Sequence, residues 1–115
     1  MNCLNEIKEN LRKFALARDW GQFHSPKNLS MALAGEAGEL LEVFQWLTEE
    51  QSRHLTQEQR KAAVEEMADV FLYLLRLADQ MDVDLLEAAT RKIKINESKY
   101  PEDKVRGSSK KYTEY

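Results

Sequence analysis

Apolar positions recur at steps of three and four along most of the chain, the period of an α-helix and not of a strand. Leu4, Ile7, Leu11 and Phe14 place a first helix over about residues 4–18, followed by a loop from Asp19 to His24. Ser25 before Pro26 reads as an N-cap followed by proline at the first helical position, where a missing N–H costs nothing. The second helix then runs over about 26–47, with Leu29, Leu33, Ala37, Leu40, Phe44 and Leu47 as its inner stripe. A polar stretch extends from Thr48 to Thr56, and Thr56 with Gln59 makes a capping box that opens a long third helix over 57–81. Asp84 with Glu87 caps a fourth helix over 84–99, which stops before Pro101. No apolar period continues from Glu102 to Tyr115. The expectation is an all-α, four-helix-bundle-like domain over 1–101, and a basic, extended C-terminal tail over 102–115 that completes the site or the oligomer.

The third helix is too apolar for one small domain. Its main stripe is Val64, Met67, Ala68, Phe71, Leu75 and Ala78, while Val70, Tyr73 and Leu77 lie on the other side, and Val70 to Leu75 is an unbroken apolar and aromatic run. A helix apolar all round must be covered on several sides. A domain of 115 residues can hardly do this alone, so a homo-oligomer is expected, either a dimer or a dimer of dimers.

Composition narrows the function classes. Only four glycines and two prolines punctuate the chain, in keeping with long helices. The net charge of -3 is unevenly spread: residues 1–90 hold 9 basic and 16 acidic side chains, and residues 91–115 hold 8 basic and 4 acidic. An acidic body lacks the basic footprint that a nucleic-acid polymer requires. Acidic body and basic end together suit a small polyanion held with the help of cations. Cys3 has no partner within the chain and fits a reducing compartment. The charged start resembles no signal peptide, and no apolar run approaches the roughly 20 residues of a membrane span. A cytoplasmic protein without a membrane partner is expected.

Chemistry concentrates in the carboxylates. Glu36 and Glu39 are three apart on the second helix, and Glu66 and Asp69 are three apart on the third, so each pair occupies neighbouring turns of one face. Glu36 falls at the margin of its helix's apolar stripe, and Glu66 and Asp69 share the face of Val70, Tyr73 and Leu77. Carboxylates turned away from bulk water need cations or strong donors. No lysine or arginine lies one turn from Glu36 or Glu39, and hard divalent ions such as Mg²⁺ take oxygen ligands of this kind. The alternative is a set of ordinary surface glutamates. A redox iron site is disfavoured because neither His24 nor His54 follows a glutamate at Glu-x-x-His spacing.

Four blocks of the chain resemble the MazG-like nucleotide pyrophosphohydrolases. Asn28-Leu29 through Gly35-Glu36-Ala37-Gly38-Glu39-Leu40 to Phe44-Gln45-Trp46 is similar to the first signature of that family. Glu65-Glu66-Met67-Ala68-Asp69-Val70 with Tyr73-Leu74 is similar to the second, and Lys92-Ile93-Lys94-Ile95-Asn96 with Lys99-Tyr100-Pro101 to the third. Gly107-Ser108-Ser109-Lys110-Lys111-Tyr112-Thr113-Glu114 resembles members close to the dCTP pyrophosphatases. The resemblance implies an all-α enzyme holding Mg²⁺ on Glu36, Glu39, Glu66 and Asp69, in tight dimers that often pair into tetramers. It implies hydrolysis of nucleoside triphosphates, dNTPs including dCTP, to monophosphate and pyrophosphate, as house-cleaning of the nucleotide pool. Some relatives carry a histidine in the first helix near the base pocket, where Leu11 stands here.

The substrate contacts follow from chemistry and resemblance together. Trp20, Phe23 and Trp46 are candidates for stacking on a base, and His24 and Asn28 for bonding base or sugar. Tyr73 is a candidate for packing beneath the deoxyribose. Lys92 and Asn96, one turn apart, suit phosphate and sugar, and Arg106, Lys110 and Lys111 can fold over the phosphates. Core packing, a solvated helix end and a disordered basic tail are the respective alternatives. For the whole chain, the alternatives are a dUTP-directed member of the same superfamily and a non-catalytic helical interaction module.

Overall fold

The computed structural model describes residues 3–109, which contain six α-helices, one 3₁₀ turn and no strand. The all-α expectation holds. The Lys110 and Lys111 expectations lie outside the described residues. Helix α1 spans Leu4–Ala17, a 3₁₀ turn Gly21–Phe23, α2 Pro26–Phe44, α3 Glu49–Arg53, α4 Gln57–Gln80, α5 Leu85–Lys99 and α6 Glu102–Val105.

The helix starts are written in the sequence. Ser25 Oγ accepts the Asn28 N–H at 3.1 Å with Pro26 in the first turn. Thr56 and Gln59 form a reciprocal capping box at 3.1 and 3.0 Å, satisfying two donors that the helix itself leaves unpaired. Asp84 Oδ1 accepts the Glu87 N–H at 3.1 Å. A second capping box, Thr48 with Gln51, opens α3 inside the polar stretch after α2, and α2 ends at Phe44 and not at 47. A short helix, α6, also occupies the start of the expected tail. At five and four residues, these two elements are too short to show an apolar period. Helices α1 and α4 are each followed by an aspartate in the left-handed region, Asp19 at φ 53° and Asp82 at φ 54°. A short polar side chain tolerates that conformation better than a branched one.

Two compact units divide after Asp82. In the first, α2 packs extensively against α4, and α1 lies more lightly on α4. The core is built from Ala15 of α1, Leu29 of α2, and Ala63, Leu75 and Ala78 of α4. Only part of the expected α4 stripe is inside: Leu75 and Ala78 are buried, whereas Val64, Met67 and Phe71 are exposed. The face carrying Glu66, Val70, Tyr73 and Leu77 is the half-buried one. With apolar residues on both sides of α4, periodicity does not say which side meets α2. The exposed residues, with Met31 and Leu41 of α2, leave a large apolar surface on this chain. The second unit begins at Val83 and contains α5 and α6. Among the described residues, no helix is long and apolar enough to cross a membrane.

Candidate functional site

The pairing of α2 with α4 brings their acidic turns together. One oxygen from each of Glu36, Glu39 and Glu66 lies within 4.8 Å of the others. Glu36 and Glu66 are half-buried and Glu39 is exposed. Asp69 stands outside this group of three, yet near enough for its charge to raise the pKa of both Glu36 and Glu66.

The electrostatics are those of crowded carboxylates. Glu66, which can share a proton with it, does most to push the Glu36 carboxyl up to about 7, and lost solvation and the charges of Glu39 and Asp69 act in the same direction. For Glu66, the contact with Glu36 pulls the pKa down. Burial, Glu39 and Asp69 outweigh it, and the net direction is upward. As two carboxylates the pair has no proton to share, and Oε2 of each residue is buried without a hydrogen-bond partner. Buried oxygens of this kind are costly unless something positive meets them. Three converging carboxylate oxygens fit a hard divalent cation such as Mg²⁺. The donor set contains neither thiolate nor imidazole, which softer transition metals favour.

A cavity of about 500 Å³ lies between α1 and α4 beside this cluster. Asp69, Leu72, Tyr73 and Arg76 of α4 form one wall, Ile7, Asn10, Leu11 and Phe14 of α1 the other, and Trp20 and His24 complete the lining from the connecting loop. Its volume falls within the roughly 300–1,000 Å³ typical of small-molecule sites, with apolar walls and few polar groups. The Trp20 ring is steeply inclined to that of Phe14, at 5.5 Å between ring centres, and to that of His24, at 6.3 Å. Burial, and then the Arg76 charge, lower the pKa of His24.

Several expected site residues therefore meet. Trp20, His24, Tyr73 and Asp69 share one cavity beside the glutamate cluster. Phe23, Asn28 and Trp46 are not among the cavity's lining residues. Phe23 and Trp46 are 57% and 87% exposed, and the Asn28 amide holds the loop by donating to the Phe23 carbonyl at 3.0 Å. Lys92, Asn96 and Arg106 are exposed residues of the second unit. Sequence reasoning missed Ile7, Asn10, Phe14, Leu72 and Arg76. Arg76 had a signal, since it is the one charge within the apolar stretch Val70 to Ala78 and shares a helical face with Asp69, Leu72 and Tyr73.

The MazG-like family model matches residues 31–115. Over 113 residues the chain is 45% identical to human dCTP pyrophosphatase 1 and 44% identical to the mouse protein of the same name. Each alignment covers 96% of this chain, which spans 66% of the length of either relative. The crystal structure of a pyrophosphatase from Archaeoglobus fulgidus DSM 4304 superposes with a TM-score of 0.82 at 37% identity, covering 88% of this chain and 94% of that one.

Proposed function

The chain belongs to the MazG-like family, and from that premise we propose that it is a Mg²⁺-dependent pyrophosphohydrolase that converts dNTPs, dCTP among them, to monophosphate and pyrophosphate. The observation that carries this reading is the glutamate cluster, with two buried and unpartnered carboxylate oxygens, opening beside a nucleoside-sized cavity. A non-catalytic module with these residues as surface charge gives no reason to bury such oxygens.

Glu36, Glu39 and Glu66 would hold the metal, with Asp69 completing the acidic set from the next turn of α4. When bound, Mg²⁺ neutralises triphosphate charge, polarises phosphoryl oxygens and acidifies bound water. The remaining chemistry belongs to the chain. A cluster carboxylate takes a proton from water as the oxygen bonds to the α-phosphorus. The bond from the α-phosphorus to the bridging oxygen breaks, and pyrophosphate leaves with the electron pair. Trp20 offers an aromatic surface to the base, and Tyr73, one turn beyond Asp69, packs against the sugar and disfavours a 2′-hydroxyl. Lys92 and Asn96 have the charge and donors suited to a polyphosphate, as do Arg106 and the basic residues that follow it.

We propose further that the exposed apolar surface of α2 and α4 is covered by other copies of the chain, as a dimer or a dimer of dimers, in the cytoplasm, with removal of unwanted dNTPs as the role. Incubation with each dNTP and Mg²⁺ tests the activity. Pyrophosphate and the matching monophosphate are expected, and selective turnover of dUTP would place the chain with dUTP-directed enzymes. Absence of pyrophosphate from every substrate would overturn the reading.

A further inference from the structure

Arg76 is buried, at 9% exposure, and the glutamate cluster has no use for it. Its guanidinium is held on several sides. Nε donates to His24 Nδ1 at 3.1 Å, and one terminal nitrogen lies 3.6 Å from Asp79 Oδ2. With the Gln80 amide turned so that its oxygen faces the guanidinium, that oxygen accepts at 2.9 and 3.3 Å. Asp79 is itself held by Arg12. Burying a guanidinium in an apolar wall is costly without such partners, and here the whole assembly is built against a histidine of the cavity.

The consequence for His24 follows from donor chemistry. Arginine carries only donors and does not deprotonate. The nitrogen that accepts from it, Nδ1, must be bare, so the proton of the neutral ring sits on Nε2. Nε2 has no hydrogen-bond partner among the described residues, and His24 lines the same cavity as Trp20 and Tyr73. Asp69, Leu72, Tyr73 and Arg76 lie on one face of α4, so the cavity wall runs two helical turns, roughly 10 Å, from the acidic end to the guanidinium. That is the scale of a nucleoside between its phosphate and the far edge of its base.

We infer that Arg76 is a positioning residue for base selection: it fixes His24 as an Nε2–H donor to an acceptor on the base edge. This rests on the nucleotide hydrolase reading and adds the device that discriminates among substrates. Cytosine offers a bare N3 beside O2, whereas N3 of uracil and thymine carries a hydrogen. A donor fixed opposite N3 therefore favours the cytosine triphosphate, since uracil and thymine accept only at O2 and O4 on either side, and a site built around one hydrogen bond rejects the mismatched edge strongly.

Long-range ¹H–¹⁵N correlation of the histidine ring reads the tautomer directly, and steady-state kinetics on dCTP and dUTP with Mg²⁺ read the selectivity. The wild type is expected to show the Nε2–H tautomer. Arg76→Met frees the ring to turn while leaving its intrinsic Nε2–H preference, and is expected to lower the dCTP-to-dUTP ratio of kcat/KM at least about tenfold, mainly through KM, with Arg76→Lys restoring part of it. An Nδ1–H tautomer in the wild type, or a ratio in Arg76→Met within about twofold of the wild type, would overturn the inference. If Arg76→Met does not fold, the wild-type tautomer and Arg76→Lys decide. If the wild type releases no pyrophosphate, the catalytic reading fails separately, and the ratio of dCTP to dUTP binding replaces the kinetic ratio.

Discussion

Arg12 of α1 clasps Asp79 of α4 through two hydrogen bonds, from Nε at 2.7 Å and from a terminal nitrogen at 2.6 Å. Planar guanidinium and carboxylate match in this bidentate arrangement, which is stronger than a single-point ion pair. The Asp79 side chain is only 7% exposed, while that of Arg12 is 49% exposed. The clasp fastens the far end of the cavity, since Asp79 also faces Arg76.

The clasp makes stability depend on acid. Hydrogen bonding from Arg12 holds the Asp79 carboxyl below its ordinary value of 3.8, against the opposing effect of burial. The folded form therefore releases this proton more readily than the unfolded chain. The resulting stabilisation is complete above the unfolded value and is lost as pH falls through the lower folded one. Thermal melts of Arg12→Met should show a lower Tm than the wild type at pH 7, with the gap narrowing towards pH 3. An equal gap at both pH values would contradict this account of Asp79.

The start of α4 offers a test remote from the chemistry. Thr56→Ala removes the acceptor for the Gln59 N–H. A lost cap of this kind costs about 1 kcal/mol. Urea denaturation should show that loss, with kcat unchanged.

Trp20 is predicted to act mainly in binding. It is 42% exposed and lines the cavity, and stacking on a base contributes about 1–3 kcal/mol. Trp20→Ala should raise KM for dCTP about tenfold with a smaller change in kcat. An unchanged KM would remove Trp20 from the base site.

The glutamate cluster should trade stability for metal binding. Without metal, Glu36→Gln relieves crowding against Glu66 and supplies an amide donor. Its Tm in EDTA should exceed that of the wild type. The wild type should gain about 2.7 kcal/mol in Mg²⁺ at a hundred times Kd, and the variant should gain much less, with pyrophosphate release abolished. Full activity in the variant would show that Glu36 is not a ligand.

Much of this architecture was legible because caps and carboxylate spacings are local. Ser25, Thr56 and Asp84 mark helix starts through contacts three residues away, and the spacing of Glu36 with Glu39 and of Glu66 with Asp69 puts each pair on one face of its helix. What was not legible depends on partners distant in sequence. Which apolar side of α4 meets α2 is a tertiary matter: along one stripe Leu75 and Ala78 are buried, whereas Val64, Met67 and Phe71 are exposed. The meaning of Arg76 comes from His24, 52 residues away, and no local pattern shows it. Trp20 lines the cavity of this chain and Trp46 does not, a difference that the chemistry of the two side chains cannot reveal.

The most direct test is anomalous diffraction from a crystal of the protein soaked in Mn²⁺, a heavier stand-in for Mg²⁺ with the same preference for oxygen ligands. The account predicts an anomalous peak bridging Glu36, Glu39 and Glu66. Ordered side chains at that position with no peak, or with a lysine or arginine from another copy neutralising them, would contradict it.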